Sequence, residues 1–167
     1  DILVDGNYSV SVKRIMVTGS LYDLKKFQIL VFGILLWIKK RSFNPKEIEF
    51  RYAGKDLEIF DKVSRSLKGY CAIIVDNYLE IEELRRLQAG AWINAYIFNE
   101  KSLFQHKTVE LISAGRPILA VPLENEETLS IAELVGVNFE TCGTLLEVVK
   151  VLESYEVCKV PAIDKQT

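Results

Sequence analysis

Two side chains of opposite charge, Lys107 and Glu110, stand three residues apart in a stretch that is bounded by helix signals. A capping-box pair precedes them, and a glycine and a proline follow them: Ser102, Gln105, Gly115 and Pro117. These signals predict a helix over residues 103–114, and the apolar run 117–121 predicts a buried strand after it. Residues three apart share one helix face, so Lys107 and Glu110 lie on the same side of this helix.

This pair has the chemistry to bind a nucleoside diphosphate. A helix N-terminus has free backbone N–H groups, and together with a nearby lysine it suits a pyrophosphate. An ionised carboxylate such as that of Glu110 accepts two hydrogen bonds from the vicinal hydroxyls of a ribose. The alternative is an i,i+3 surface pair between Lys107 and Glu110, which stabilises a helix by about a few tenths of a kcal/mol. The spacing alone does not decide between the two.

The first predicted strand, residues 14–17, ends in a glycine turn that is followed by lysines. Gly19 and Ser20 form the turn, and Lys25 and Lys26 begin the next helix. The turn lacks the G-x-G-x-x-G pattern, which argues against a nicotinamide dinucleotide site, and it lacks the lysine motif of a P-loop. An acidic pair, as found in receiver domains, is also missing here. The turn and the helix of residues 103–114 follow strands that should end at one edge of the same sheet.

Strands and helices alternate along the whole chain. Strands are predicted at residues 14–17, 47–52, 71–75, 92–98, 117–121 and 137–140. Helices are predicted at residues 24–40, 56–67, 81–87, 103–114, 125–134 and 144–154. This alternation predicts an α/β fold with a doubly wound, mainly parallel Rossmann-like sheet of about six strands and helices on both faces. No repeat or Pro/Gly linker divides the chain, so residues 1–167 are predicted to be one domain, with 1–12 and 156–167 at its periphery.

Composition narrows the class of partner. The 167 residues carry 21 basic and 23 acidic side chains, a net charge of −2, and no basic run is longer than residues 39–41. Nucleic-acid binding therefore has no electrostatic footprint. The three cysteines lack CxxC spacing, which indicates reduced structural thiols and a cytoplasmic location. The single histidine, His106, has no second metal ligand at helix spacing and no nucleophile nearby in sequence, so a structural or peripheral role is favoured.

The strongest apolar segment is residues 27–38, with basic residues on both sides. A membrane-spanning helix needs about 20 residues, so this segment is too short to cross a bilayer. It is predicted to be a buried helix, covered in part by a second lobe or another chain, with a membrane-surface contact as the alternative. The sequence begins at Asp1 with neither Met nor a signal peptide, and we interpret it as part of a longer protein.

Residues 107–120 resemble a known signature, K-x-x-E-Y-L-A-x-G-[RK]-P-I-L-A. It is typical of retaining nucleotide-sugar glycosyltransferases with two Rossmann-like lobes, the GT-B type of group 1 or family 4, and lies in their C-terminal, donor-binding lobe. Three shorter segments resemble other parts of that lobe in the same order. Residues 2–6 resemble V-I-x-N-G, residues 17–25 resemble T-G-S-L-Y-x-x-K, and residues 82–91 resemble the helix before the strand A-D-V-L-L-L. The similarity covers about residues 2–155.

The resemblance implies a role for each residue that matches. Lys25 is similar to the basic residue that reaches the donor phosphates, with Lys26 as the alternative if the loop register differs by one. Lys107 is similar to the helix lysine near the pyrophosphate, and Glu110 is similar to the glutamate that holds the ribose. Gly19 would let the backbone approach the ligand. These residues match positions of the family pattern one by one.

Several positions depart from that pattern. Ser20, which we count with the nucleotide-sugar-binding residues, stands where the family often has Arg. Ser102 stands at the first Glu of E-x7-E, and residues 103–105, Leu-Phe-Gln, replace a Gly-Phe-Gly turn. Trp92 stands where the family usually has Asp. The departures at 102–105 bear on the contacts with the donor sugar.

The resemblance implies transfer of a sugar from a nucleotide sugar to an acceptor hydroxyl, in the synthesis of a cell-surface polysaccharide or glycoconjugate. Lys25 and Lys107 would be the catalytic residues, since with the helix dipole they stabilise the leaving diphosphate without a metal or other cofactor. The acceptor site would lie in an N-terminal lobe outside this sequence, so the chain alone is expected to be inactive. Peripheral membrane association of the whole enzyme is a further expectation. Two alternatives stay open: a lobe of a sugar-nucleotide epimerase, and a non-catalytic Rossmann-like binding module.

Overall fold

A computed structural model describes residues 12–101 and 106–157. Strands and helices alternate throughout these residues. The strands are β1 (Lys13–Thr18), β2 (Ile48–Ala53), β3 (Ala72–Asp76), β4 (Ile93–Ile97), β5 (Ile118–Val121) and β6 (Phe139–Thr141). The helices are α1 (Leu24–Arg41), α2 (Leu57–Ser64), α3 (Ile81–Ala89), α4 (His106–Ser113), α5 (Glu126–Leu134) and α6 (Leu145–Val157). A short 3-10 helix, Arg65–Leu67, follows α2 directly.

The six strands form one parallel sheet in the order β3-β2-β1-β4-β5-β6. The predicted doubly wound Rossmann-like sheet is therefore confirmed. The chain moves outward from β1 to β3, then crosses back to β4 beside β1, where Met16 lies opposite Asn94. The direction of winding reverses between β1 and β4, and ligands of such sheets bind in the crevice at the carboxyl ends of these strands.

The two faces of the sheet are packed differently. Side chains alternate along each strand, and on one face Ile15 and Val17 join a large apolar core with residues of α1, α2 and α6. On the other face a small core contains Tyr96, Leu111, Ile118 and Ala120. Helices thus cover both faces, as predicted, but most of the buried apolar surface lies on the α1 side.

Local signals in the sequence account for both ends of α1. The carboxylate of Asp23 accepts hydrogen bonds from the backbone N–H groups of Lys25 at 2.7 Å and Lys26 at 3.4 Å, which caps the helix. Ser42 adopts a left-handed conformation at the other end, after a basic last turn that complements the helix dipole. The helix predicted over residues 24–40 is confirmed to within one residue.

Helix α6 packs along α1 through a close approach at a glycine. A Cβ atom added at Gly33 would lie 2.6 Å from Cβ of Val148, so only a hydrogen fits between the helices here. At the far end, the carboxylate of Glu156 accepts hydrogen bonds from the indole N–H of Trp37 and from Arg41 Nε. Glu156, which the sequence analysis assigned to the periphery, therefore fastens α6 to α1.

The cover of the apolar segment 27–38 comes largely from within the chain. Helix α6 packs along α1 and supplies part of this cover, whereas the sequence analysis expected part of it to come from a second lobe or another chain. Two large apolar side chains of the helix remain on the surface, Phe32 at 40% and Leu36 at 38% exposure. None of the helices in residues 12–101 and 106–157 has the length and apolar character needed to cross a membrane.

Most other predicted bounds differ from the observed ones by no more than three residues. The helix predicted over 56–67 ends its last turn as the 3-10 helix, and the helix predicted over 144–154 extends to Val157. The expected cap at Ser102, the first residues of the 103–114 helix, Cys158 and the segment 2–6 lie outside the described residues. The two cysteines that are described, Cys71 and Cys142, are buried free thiols.

A ladder of ion pairs crosses the sheet on the face opposite α1. Arg14 Nε lies 2.5 Å from Glu49 Oε1, and Arg51 Nε lies 2.6 Å from Asp76 Oδ2, with all four side chains only 13–17% exposed. The hydrogen bond to Asp76 raises the pKa of Arg51 above its ordinary value. The sequence analysis missed this ladder, although the alternation of polar and apolar residues in β2 is its signal. This part of the sheet is therefore polar on one face.

Replacing Gly33 by alanine should destabilise the fold although it raises helix propensity. The added methyl group overlaps Val148 on α6, and overpacking of this kind costs about 1–3 kcal/mol of unfolding free energy. Urea unfolding followed by circular dichroism measures the change. Leu36→Ala on the exposed side of the same helix is the control and should cost less than about 1 kcal/mol. Equal costs for the two variants would contradict the described packing of α6 on α1.

Candidate functional site at the β1–β4 switch point

The crevice opens where β1 ends and the chain turns at Gly19. The φ angle of Gly19 is +88°, a conformation that favours glycine. The turn is anchored by the hydroxyl of Tyr52, which donates a hydrogen bond to the carbonyl oxygen of Gly19 at 2.8 Å. Burial raises the pKa of Tyr52 to about 12, so this hydroxyl stays protonated at neutral pH. Asp56 holds the next residues of the turn by accepting the backbone N–H of Leu21 at 2.7 Å.

Lys107 of α4 reaches across the crevice to Gly19. A Cβ atom at position 19 would lie 1.7 Å from Lys107 Nζ and 2.7 Å from its Cε. Position 19 therefore needs a glycine for two reasons: its φ angle is positive, and the Lys107 side chain leaves no room for a Cβ atom. The sequence analysis assigned both residues to one nucleotide site, and the structure places them side by side at the switch point.

The ammonium group of Lys107 lies in a partly buried place. Burial lowers the pKa of Lys107 below 10.5, and the negative charge of Glu110 offsets part of that effect. Within residues 12–101 and 106–157, its Nζ forms no hydrogen bond and no ion pair within 4.0 Å. An anion bound beside this ammonium group would stabilise its charged form.

The carboxylate of Glu110 is directed to helix α3. Its Oε1 accepts a hydrogen bond from Gln88 Nε2 at 2.5 Å. Lys107 and Glu110 form no ion pair within 4.0 Å, so the i,i+3 surface pair that the spacing left open is not formed. Instead, one side chain points to the β1 turn and the other to α3.

A groove of about 500 Å³ lies between α3 and α4 beside this carboxylate. Helix α4 lines it with His106, Val109 and Glu110, and helix α3 lines it with Arg85 and Gln88. The volume falls in the range of small-molecule sites. A second groove, of about 590 Å³, lies between α5 and β6, but its charged side chains are all acidic. The α3–α4 groove is therefore the better place for an anionic ligand.

Three buried polar atoms without a hydrogen-bond partner in the described part of the chain lie under α3 and α4. They are Thr18 Oγ1, Gln88 Oε1 and Asn94 Oδ1, and each of these residues is at most 1% exposed. The other amide group of Asn94 donates to the backbone carbonyl of Gln88 at 3.0 Å, which joins β4 to the end of α3. Unsatisfied buried polar atoms are few in folded proteins and are often found at functional sites.

Helix α4 is positioned by a buried chain of hydroxyl groups. Tyr96 donates a hydrogen bond to the carboxylate of Glu124, which is 7% exposed, and accepts one from the hydroxyl of Thr108. Burial and the bond to Glu124 raise the pKa of Tyr96 far above 10. Thr108 is the residue after Lys107, so this chain fixes where Lys107 leaves the helix. The sequence analysis missed Tyr96 and Glu124, whose signal is one polar group within the apolar strand β4 and another shortly after the apolar strand β5.

The predicted end of α4 is confirmed. Gly115 has a φ of +66°, and its backbone N–H donates to the carbonyl of Ile112 at 3.0 Å. The next residue, Arg116, donates from Nε to the carbonyl of Ala89 at the end of α3 at 2.7 Å. The motif Gly-Arg-Pro therefore ends one helix and ties it to its neighbour.

The remaining residues predicted for the site lie at the rim of the crevice. Ser20 and Lys25 are exposed, and Lys25 Nζ belongs to no ion pair within the described ranges. Lys26 Nζ lies 3.2 Å from Glu100 Oε1, in the loop after β4. His106 is exposed at the mouth of the groove. The structure thus brings Gly19 and Lys107 together and directs Glu110 to α3, while Lys25 is left exposed and Lys26 pairs with Glu100.

Among the described residues, no group of three or more His, Cys, Asp or Glu side chains is arranged to hold a metal ion. The charged groups at the crevice include those of Lys107 and Glu110, with the Lys26–Glu100 pair at its rim. In this arrangement Lys107 can bind an anion, and the carboxylate of Glu110 can accept hydrogen bonds from the hydroxyl groups of a ligand.

Comparison with known proteins gives a clear result for the fold. No family model matches the sequence, and no curated protein matches it. By structure, the chain is similar to a protein described as a UDP-N-acetylglucosamine 2-epimerase from Listeria monocytogenes, with a TM-score of 0.66 and 13% identity over 90% of this chain and 38% of that one.

Two further solved structures are similar over nearly the same part. The S. aureus MnaA–UDP co-structure has a TM-score of 0.62 and 11% identity over 89% of this chain and 38% of that one. The UDP-forming α,α-trehalose-phosphate synthase from Burkholderia vietnamiensis has a TM-score of 0.62 and 11% identity over 88% and 36%. This chain thus spans less than two-fifths of these proteins and has the fold of one Rossmann-like lobe of the GT-B type.

Substituting Gly19 by alanine should move the ammonium group of Lys107 into solvent. The new methyl group occupies the place of Nζ, so the pKa of Lys107 should return toward 10.5. An NMR titration of the lysine side-chain signals measures this shift. Gly69→Ala is a matched control, because Gly69 has a φ of +86° but no atom within 4 Å of an added Cβ. Both variants should lose about 1–2 kcal/mol from backbone strain, and an unchanged Lys107 pKa in Gly19→Ala would contradict the contact.

Proposed function

We propose that this chain is the donor-binding lobe of a glycosyltransferase that moves a sugar from a nucleotide sugar to an acceptor hydroxyl. The observation that carries the proposal is the ammonium group of Lys107, which lies against Gly19 at the switch point, with the carboxylate of Glu110 three residues further along the same helix. A cation and, three residues later, a carboxylate that accepts hydrogen bonds from hydroxyl groups fit a diphosphate and the ribose joined to it.

The diphosphate would bind at the Gly19 turn. Gly19 has no side chain to hinder the approach of an oxyanion, and Lys107 supplies a positive charge at a partly buried position. In the transfer step, negative charge grows on the leaving diphosphate as the bond to the sugar breaks. A preorganised ammonium group in a place of low dielectric constant stabilises that charge more than water does. Lys25 and Ser20 would contact the phosphates of the bound donor from the rim of the crevice.

The ribose would bind to Glu110, next to the groove between α3 and α4. One oxygen of this carboxylate is bonded to Gln88, and an ionised carboxylate has acceptor capacity for further bonds. The groove of about 500 Å³ then offers room for the base. The similar S. aureus structure contains UDP, which supports a uridine nucleotide as the first ligand to test.

A sugar-nucleotide epimerase lobe is the second candidate. The likeness to the L. monocytogenes protein, with a TM-score of 0.66, favours it as much as the likeness to the synthase favours a transferase. An epimerase needs acids and histidines at the sugar, whereas the crevice residues found here fit charge stabilisation at a diphosphate. In either case the site would bind a nucleotide sugar without a metal ion, and the acceptor or the remaining catalytic groups would come from a second lobe.

The wider setting rests on the resemblance of the sequence. We place the whole enzyme in the cytoplasm, in the synthesis of a cell-surface polysaccharide or glycoconjugate, with peripheral attachment to the membrane. Transfer activity of the chain joined to its second lobe, assayed with a panel of nucleotide sugars, tests this placement.

Binding of UDP to this chain should depend on the charge of Lys107. Uridine should bind at least about tenfold more weakly than UDP, because the diphosphate supplies most of the contacts with the cation. UDP affinity should fall as the pH rises through the lowered pKa of Lys107, below the range of an ordinary lysine. Without ligand, the effect of Lys107 on the stability of the fold changes with pH in the opposite direction. The unfolded chain binds the Lys107 proton more tightly, so the contribution of Lys107 to stability rises with pH in the same window, up to about 10.5. The buried thiols of Cys71 and Cys142, whose pKa values are raised by burial, act in the opposite direction.

Isothermal titration across pH 7 to about 10.5 measures the affinities, and Lys107→Met, which removes the charge, is the control. This variant should bind UDP weakly at every pH and lose the contribution of Lys107 to the pH dependence of stability. Equal binding of uridine and UDP by the unmodified chain would overturn the proposed function.

Exchange of Glu110 for glutamine separates a ribose-binding role from a structural one. Gln keeps the size and helix propensity but loses the charged acceptor, so UDP affinity should fall by about 1.5–3 kcal/mol. Inorganic pyrophosphate, which has no ribose, should bind as before. The melting temperature shows whether the fold is kept. If UDP binds the variant and the unmodified chain equally well, Glu110 does not hold ribose.

A further inference from the structure

Gln88 is the buried residue of α3, a helix whose other side chains are exposed or only partly buried. Its exposure is 0%, whereas the apolar residue Ile81 of the same helix is 55% exposed. A surface helix normally turns an apolar stripe toward the core. Here the fully buried position is filled by an amide group instead.

This amide group is costly for stability. Its Oε1 has no hydrogen-bond partner in the described part of the chain, and a buried acceptor left unpaired costs about 1–3 kcal/mol. An apolar side chain of similar size would remove that penalty. Packing alone therefore does not account for glutamine at position 88, and the reason must lie in the bond that its other amide atom makes.

That bond goes to Glu110. An ionised carboxylate only accepts hydrogen bonds, so the amide group turns its N–H toward Glu110 Oε1, at 2.5 Å. The backbone of Gln88 is fixed in turn, because its carbonyl accepts from Asn94 Nδ2 at 3.0 Å and the carbonyl of Ala89 accepts from Arg116 Nε at 2.7 Å. The N–H donor is therefore held rigidly with respect to β4 and to the end of α4.

We propose that Gln88 is a positioning residue that holds the Glu110 carboxylate in one orientation for a vicinal diol of the ligand. This role rests on the proposed function and extends it, because it names the residue that orients the carboxylate of the ribose site. The N–H of Gln88 occupies one lone pair of Oε1 and fixes the plane of the carboxylate. The remaining acceptor positions then face the groove, so the rotational entropy of the side chain is lost on folding rather than on binding.

The test compares Gln88→Met with the unmodified chain, using UDP and inorganic pyrophosphate as probes. Methionine fills the same space without a donor. We expect UDP affinity to fall about tenfold while pyrophosphate affinity changes by less than about twofold, because only UDP carries the diol. Gln28→Met, the same exchange in α1, which does not line the groove between α3 and α4, is the matched control and should leave both affinities unchanged.

A second variant, Gln88→Glu, makes the readout specific for the N–H donor. At pH 7.5 the new carboxylate cannot donate and repels Glu110, so UDP should bind more weakly than to Gln88→Met. At about pH 5 the new carboxyl group, whose pKa is raised by Glu110, is partly protonated and can donate. UDP affinity relative to the unmodified chain at the same pH should then recover. A residue with a merely structural role would show no such recovery.

The outcomes are distinct. A fall of both affinities by the same factor in Gln88→Met, or of neither, overturns the positioning role while leaving the proposed function in place. Absence of the recovery in Gln88→Glu at low pH also overturns it. If the unmodified chain binds neither UDP nor pyrophosphate, the proposed function fails and the inference fails with it.

Discussion

The contact between the ammonium group of Lys107 and the backbone of Gly19 is the constraint on which the rest of the site depends. The two residues are 88 positions apart in the chain and meet only because the sheet places β1 beside β4. The turn is held by Tyr52, and the helix is held through Thr108. Each anchor is a buried hydroxyl whose partner lies on another element, so the contact is set by the tertiary fold rather than by either segment alone.

The two faces of the sheet differ in role: the α1 side contains most of the apolar core, and the α4 side contains the polar groups of the candidate site. On the α1 side, aromatic and aliphatic side chains form one large core, and α6 closes it through the glycine contact at Gly33. On the α4 side the core is small, ion pairs cross β1, β2 and β3, and three polar atoms of the described residues lack partners. A protein tolerates such incomplete satisfaction at one place because the other face supplies the stability.

The fold was predictable because its signals are local. The cap at Asp23 and the stop at Gly115 each involve residues within a few positions, and the alternation of strands and helices fixes the class of fold. The placement of Lys107 next to Gly19 also followed from topology, since both come directly after neighbouring strands.

The rest of the site could not be read from the sequence, because it depends on partners far away in the chain. Gln88 is an ordinary polar residue near the end of a helix until Glu110, 22 positions later, is found beside it. Glu124 likewise meets Tyr96 over 28 positions, and the strand residue Arg14 meets Glu49 over 35. The periodicity of a sequence assigns a side chain to one face of a helix or strand. It does not identify the hydrogen-bond partner that the side chain meets on a neighbouring element.

The departures from the glycosyltransferase pattern now separate into two kinds. Trp92 precedes β4, at the amino end of the sheet, where its ring stacks on Trp37 of α1 with centroids 5.5 Å apart. The crevice lies at the opposite, carboxyl end of the strands, so this change concerns the packing of α1 and not the ligand. Ser102 stands in the sequence between β4 and α4 and lies outside the described residues. In the proposed function, Lys107 and Glu110 make the diphosphate and ribose contacts without position 102, and the family pattern assigns that position to the donor sugar. The resemblance therefore implies that the change at Ser102 bears on recognition of the sugar rather than of the nucleotide.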